Sequence, residues 1–220
     1  MKETAYFFDF DGTLFDTRGD LAATVNHTRR DYGLPELPAE AVIANVGLGA
    51  KYLLSQSFKT DASELLERVG VDRLFTVFMS HYLEHACDTV KLYPGVRETL
   101  TELLRRGCRL GINTAKPRAA VELILDRLEM REFFGEAIVA GGESAEMKPS
   151  ARPLLDCAAK AGHTLSPSDW MVGDNWTDIG CGRNAGVRTA FCDFGFGSLR
   201  EERPDVRLSR FSDLLAATDS

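Results

Sequence analysis

The sequence has no Cys-x-x-Cys pair, no internal repeat, no low-complexity linker and no apolar run near the ~18 residues that span a bilayer. The five cysteines, an odd number, are scattered at Cys87, Cys108, Cys157, Cys181 and Cys192. That spacing excludes a zinc ribbon or a thioredoxin-type redox centre and fits reduced, mostly buried thiols. Positive charge is also in deficit: 26 Lys and Arg face 33 Asp and Glu, for a net charge of -7. A nucleic-acid or anionic-membrane partner is therefore not expected, although an anionic small substrate still fits, because local charge can differ from the total. The opening Met1-Lys2-Glu3-Thr4 lacks a secretory pattern, since the apolar run after it is short and ends in acids. A cytoplasmic location is the expectation.

The 220 residues can bury a large core, and 44% apolar with 27% charged residues is ordinary for a globular chain. Thr4-Ala5-Tyr6-Phe7-Phe8 is short, apolar and aromatic and reads as a buried strand. It stops on Asp9-Phe10-Asp11-Gly12-Thr13-Leu14. Side chains at i and i+2 of an extended segment point the same way, so Asp9 and Asp11 can face one small volume. Two bare carboxylates about 4 Å apart repel by roughly 4 kcal/mol at an effective dielectric near 20, which calls for a cation, a shared proton or a positive partner. Gly12 permits a sharp turn and close approach of a ligand to backbone donors. Alone, this stretch fits a solvated turn equally well. A calcium loop is excluded, because the acid at the fifth loop position and the closing Glu are missing.

From Asp20 to about position 88 the signals are helical, with breaks at Gly33-Leu34-Pro35 and Gly47-Leu48-Gly49. Leu74, Phe75, Phe78, Tyr82 and Ala86 form a stripe at helical spacing that reads as bundle core. After Tyr93 the pattern alternates: strands over 108–113, 136–140, 169–172 and 187–191, and helices over 96–106, 117–129, 151–161, 175–185 and 211–217. The predicted fold is α/β, a doubly wound parallel sheet of Rossmann-like kind, with a small all-helical cap inserted after strand 1. The expected division is a catalytic core over 1–16 and 90–220 and a cap over 17–89.

Ligands in such sheets sit outside the C-terminal strand ends. The residues there are Asp9 and Asp11, then Asn113, Thr114 and Lys116, then a Gly-rich loop leading to Lys148-Pro149, then Gly173-Asp174-Asn175-Trp176-Thr177-Asp178. Any one of them alone would pass as surface decoration; together they converge on one edge. An all-oxygen site with several carboxylates suits Mg2+. With a metal offsetting the acids, Lys148 and the Thr114 hydroxyl can hold phosphate oxygens, one carboxylate can attack phosphorus, and the second can move the proton.

Asp9-Phe-Asp11-Gly-Thr13-Leu, Thr114, Lys148-Pro149 and Gly173-Asp174-x-x-x-Asp178 resemble, in order, the four motifs of the haloacid dehalogenase superfamily. Leu92-Tyr93-Pro94-Gly95-Val96 and Leu110-Gly-Ile-Asn-Thr114-Ala-Lys116-Pro117 add a likeness to its phosphoglycolate phosphatase branch. The resemblance implies Asp9 as nucleophile and Asp11 as general acid/base, with Mg2+ held by Asp9, the Asp11 carbonyl and Asp174 and supported by Asp178. It implies phosphate binding by Thr114 and Lys148, with Asn113, Ala115 and Gly12 as neighbouring contacts. Ala115 stands where the family often has Asn, and Asn113 sits one place early. The implied substrate is a small phosphorylated metabolite and the implied state a monomer or homodimer.

Cap residues expected to face the site and select the substrate are Gly47, Gly49, Lys51 and Arg18, with Asp20 on the hinge side. His81 and His85 are spaced i and i+4, but no third ligand is evident. The rival activities on this fold are a beta-phosphoglucomutase-like phosphotransferase, a pyrophosphatase and a phosphonatase. A dehalogenase is disfavoured by Asp11, and a receiver-type phospho-acceptor by the helical insert.

Overall fold

In the computed structural model, described over residues 3–217, β1 (Ala5–Phe8) is wholly buried at the centre of a six-stranded sheet. Met1 and Lys2 of the N-terminal reading lie outside the described residues. β4 (Arg109–Pro117) and β5 (Ile138–Gly141) extend the sheet on one side of β1. β6 (Trp170–Gly173), β7 (Arg188–Cys192) and β8 (Val206–Leu208) extend it on the other. Every pairing is parallel. Both faces of β1 are covered, which is why its residues are apolar without alternation.

The crossover helices are α6 (Val96–Arg105), α7 (Arg118–Arg127), α8 (Arg152–Lys160) and α9 (Trp176–Asn184), with α10 (Asp213–Ala217) at the C-terminal end. The sequence expects five strands; β8 is a sixth, three residues long, at the sheet edge. β4 is longer than expected and carries a register shift against β5 between Asn113 and Pro117. The chain runs outward from β1 through β4 and β5, then returns to β6 on the other side. The outward connections diverge between β1 and β6, and an open α/β sheet binds its ligands in the crevice at such a point.

Between β2 (Phe15–Asp16) and β3 (Lys91–Leu92) lie five helices: α1 (Arg18–Asp31), α2 (Ala39–Ile43), α3 (Ala50–Lys59), α4 (Ser63–Val69) and α5 (Val71–His85). β2 and β3 pair antiparallel, Phe15 with Leu92 and Asp16 with Lys91, so the helical insert leaves and re-enters through one two-stranded hinge. Asp20 closes that hinge: its carboxylate accepts from Thr89 N–H at 2.8 Å, Thr89 Oγ1 at 2.6 Å and Val90 N–H at 3.0 Å. Inside the insert, the fully buried Arg29 guanidinium donates to Asp61 and to the Ser57 and Pro35 carbonyls. Leu21, Phe58, Phe78 and Tyr82 of the insert share one apolar cluster with Phe10, Phe15 and Val172, so the helices pack on the sheet end beside the crevice. Among the described residues no helix is long and apolar enough to cross a membrane.

Candidate active site

Asp9 follows β1, and its N–H donates to the Val172 carbonyl of β6 at 2.9 Å, which ties the first acid to the neighbouring strand. Its Oδ1 takes the Phe10 N–H at 2.7 Å and lies 3.0 Å from Lys148 Nζ. Both contacts fall on the same oxygen, Oδ1. Gly12 turns the chain at φ +82°, and a Cβ there would lie 2.0 Å from Asp174 Oδ2. The turn therefore needs glycine twice over, for its conformation and for the approach of the next acid.

Asp174 follows β6, and its Oδ2 accepts from Phe196 N–H at 2.9 Å and Gly197 N–H at 2.8 Å. Asp178 lies one turn on, in α9. Its Oδ2 accepts the Asn175 N–H at 3.0 Å while Asn175 caps Thr177, a reciprocal box that fixes the helix start. Its Oδ1 takes Lys148 Nζ at 2.6 Å. Asp9, Asp174 and Asp178, all buried, each bring an oxygen within 4.8 Å of the others.

The electrostatics show an excess of buried negative charge. Burial, then Asp178 and Asp9, push the Asp174 carboxyl well above the usual range. Burial and Asp9 push Asp178 up to about 7, against the pull of Lys148. Burial opposes the Lys148 charge, but Asp178 and Asp9 outweigh it and hold the ammonium above the ordinary lysine range. One ammonium among three carboxylates leaves a deficit of positive charge that a divalent cation fits, in donor type and in charge.

β4 supplies the third wall. Its register shift directs Thr114 and Ala115 to the crevice, and both line it with Asp9, Asp11, Asp174 and Asn175. Thr114 Oγ1 accepts the Lys116 N–H at 3.1 Å, which leaves its O–H to donate to an incoming oxygen. Gly47, Gly49, Ala50 and Leu53 of the insert close the opposite side. Gly47 sits at φ +118°, and a Cβ there would lie 2.6 Å from Asn175 Nδ2, so the turn touches the α9 start directly.

Four sequence-expected contacts differ. Lys51 points out of the crevice: it pairs with Asp72 at 2.6 Å, with its side chain 57% exposed. α3 begins at Ala50 and its inward face carries Leu53 and Leu54, which turns position 51 to solvent. Arg18 is folded back on Asp16, Nη2 to Oδ2 at 2.7 Å, and does not line the crevice. Gly12 N–H is already donated to the Phe15 carbonyl at 2.9 Å, so Gly12 acts by shape and not as a ligand donor. Asn113 contributes its carbonyl, which accepts Lys148 Nζ at 3.0 Å; its side-chain amide turns to Cys181 Sγ, and its Oδ1 is buried without a partner.

Two residues to which the sequence reading gives no role in the site belong to this crevice. Lys116 Nζ donates to Asp11 Oδ1 at 2.8 Å and to the Tyr82 hydroxyl, and both residues are buried lining. Position 116 was visible as a charge at a strand end, but nothing in the spacing of Tyr82 separates it from the apolar stripe of α5. The histidines gain a third ring, with His27 lying 5.5 Å from His81 and 5.2 Å from His85. The other two rings hydrogen-bond Asp31 and Asp88, and among the described residues only the acidic trio converges as a metal-binding group.

The family model described as haloacid dehalogenase-like hydrolase matches residues 6–192. The chain is 35% identical to the phosphoglycolate phosphatase of Agrobacterium fabrum, over 96% of this chain and 90% of that one. It is 33% identical to the phosphoglycolate phosphatase of Aquifex aeolicus, over 97% and 95%. Its fold superposes on the crystal structure of a predicted phosphoglycolate phosphatase from Haemophilus somnus with a TM-score of 0.89, 29% identity and 99% coverage of both chains.

Proposed function

The chain belongs to the haloacid dehalogenase-like hydrolase family, and from that premise we propose that it is a Mg2+-dependent phosphatase that hydrolyses a small phosphomonoester of the phosphoglycolate class through an aspartyl-phosphate on Asp9. The observation that carries this reading is Lys148, whose ammonium bridges Asp9 at 3.0 Å and Asp178 at 2.6 Å beside the buried Asp174. Asp9, the Asp11 carbonyl and Asp174 would hold the Mg2+, which when bound offsets the repulsion among the acids and neutralises charge on phosphate oxygens.

The residues divide the work as follows. Lys148 and the Thr114 hydroxyl hold non-bridging phosphate oxygens. The Asp9 carboxylate attacks phosphorus, and the bond from phosphorus to the ester oxygen breaks. Asp11 gives its proton to the leaving alkoxide. The resulting Asp11 carboxylate takes a proton from water, whose oxygen attacks phosphorus and returns Asp9 and inorganic phosphate. Acid-base help of this kind contributes roughly 10²- to 10⁴-fold.

The phosphonatase alternative calls for a cap lysine in the crevice; Lys51 is paired with Asp72, which weighs against it. A pyrophosphatase and a phosphotransferase of beta-phosphoglucomutase type share the same core chemistry and are separated by assay. The test is phosphate release from 2-phosphoglycolate, hexose phosphates, nucleotides and pyrophosphate, with Mg2+ and with chelator. One monoester should lead by at least about tenfold in kcat/KM, roughly 1.4 kcal/mol of discrimination, and chelation should stop release. Asp9→Asn should abolish turnover in a folded protein. Near-normal turnover by that variant, or no release from any substrate, would overturn the reading.

A further inference from the structure

Tyr82 belongs to the helical insert, on α5, yet its hydroxyl meets the Nζ of Lys116 at the end of β4 in the sheet. That ammonium donates in turn to Asp11 Oδ1 at 2.8 Å. It also lies 4.6 Å from the centre of the Tyr82 ring and 5.4 Å from that of Phe10. Tyr82 is 1% exposed and Lys116 4%, so water competes little for these bonds. The same Asp11 oxygen takes the Thr17 hydroxyl at 2.7 Å, from the residue before α1. Asp11 is thus held from two of the places where the insert meets the core: the hinge, through Thr17, and the docked face of α5, through Tyr82 and Lys116.

A hydroxyl at position 82 is otherwise hard to account for. Its neighbours on the buried stripe of α5, Leu74 and Phe78, are purely apolar, and Phe would fill the same space. A buried hydroxyl without a partner is costly, and a buried ammonium must place its three N–H groups. Removing the Tyr82 oxygen leaves Lys116 to find another acceptor, and Asp11 follows it.

We infer that Tyr82 and Lys116 are positioning residues for Asp11, so that seating the helical insert on the sheet orients the carboxylate that handles the proton. The inference rests on the role given to Asp11 above. It makes productive geometry depend on insert docking, a way of completing a site only when it is closed.

The test is a double-mutant cycle on the full chain, using the monoester hydrolysed best. Tyr82→Phe keeps the ring and removes the oxygen. It should lower kcat about tenfold, a part of the full acid-base contribution, with KM changed less than about twofold. In an Asp11→Asn background the same substitution should have no further effect, because the group it positions is gone. Lys116→Met should follow the same pattern with a larger loss, and Lys116→Arg should recover part of it. Unchanged kcat in Tyr82→Phe overturns the inference, as does a raised KM with kcat intact. A loss repeated in full in the Asp11→Asn background also overturns it, since the effect would then be structural. An active wild type with any of these outcomes defeats this inference alone; a wild type with no phosphatase activity defeats the hydrolase reading and this inference with it.

Discussion

Two lysines in this molecule each meet a carboxylate oxygen at 2.6 Å, Lys148 on Asp178 and Lys51 on Asp72. By distance they are the same interaction. Their surroundings differ completely: the side chains of Lys148 and Asp178 are 3% and 0% exposed, those of Lys51 and Asp72 57% and 82%. In the crevice, charge cannot be screened by water, so every carboxylate needs a partner and the partner has one position to occupy. On the outer face of the insert, water and salt do the same work, and the pair is one arrangement among many. Site chemistry on this chain is therefore concentrated where charges were removed from water at a cost, and not where ion pairs are most numerous.

The sharpest way to break this comparison is to remove each ammonium. Lys148→Met leaves Asp9 and Asp178 without their counter-charge, and breaking a buried pair from one side costs about 3–5 kcal/mol. For a chain of this size that corresponds to a fall in melting temperature of roughly 10 °C. The deficit should depend on pH in the metal-free protein. Burial and the neighbouring Asp9 push the Asp178 carboxyl up to about 7 in the fold, above its unfolded value. A raised folded pKa means that the folded state binds the extra proton below that value, so stability rises as pH falls from about 8 toward 5. Without Lys148 the group rises further, so Lys148→Met should be most destabilised at pH 8 and partly recover at pH 5. Thermal unfolding at the two pH values with chelator present checks this; a larger deficit at pH 5 would contradict it.

The second contrast concerns Asp174, which has backbone donors and no ammonium. In the metal-free protein its charge is opposed by burial and by two neighbouring acids. Asp174→Asn should therefore raise the melting temperature of the metal-free protein, by the few degrees that about 1 kcal/mol gives in a chain of this length. The wild type should be stabilised by added Mg2+ through mass action, and the variant should lose that gain together with its activity. Titration of melting temperature against Mg2+ for both proteins is the measurement. An equal Mg2+ gain in the two would remove Asp174 from the metal site.

Much of this was legible in the sequence because the core elements obey local rules. β1 is a run of four buried apolar residues stopping on an acid, and each later strand ends on polar residues that the parallel topology brings to one edge. Asp9, Thr114 and Asp174 could be read that way because they sit at strand ends, and Lys148 and Asp178 follow from the loop after β5 and the first turn of α9. β8 escaped notice because Val206–Leu208 is three residues long and its middle residue, Arg207, is exposed. Tyr82 escaped because helical periodicity reports which side of α5 is buried and says nothing about what a hydroxyl on that side will meet. Asn113 differs from the expectation for a related reason: a strand position near the crevice can offer its carbonyl there while its side chain faces the opposite layer. The residues of the insert are the hardest to read, because their contacts depend on how five helices sit against the sheet, and no local pattern encodes that.

Lys51 is the smallest expected effect and the one that tests the comparison most cleanly. The sequence places it two residues after the Gly47-Leu48-Gly49 turn, and the glycines do line the crevice. Helical geometry turns each residue by about 100°, so a position adjacent to a lining residue need not line anything. Ala50 and Leu53, three apart, face the crevice from α3, while Lys51 reaches over the Phe75 ring at 5.6 Å toward Asp72. An exposed pair of this kind contributes about 0.2–1 kcal/mol. Lys51→Ala should therefore shift stability by less than about 1 kcal/mol, with the difference fading in added salt, and should leave kcat and KM for the preferred monoester within twofold of wild type. A large rise in KM would mean that the insert rotates α3 toward the crevice when substrate binds, and would restore Lys51 as a substrate contact. An unchanged KM would show that identical pair distances carry opposite functional weight in the two regions, with burial as the variable that separates them.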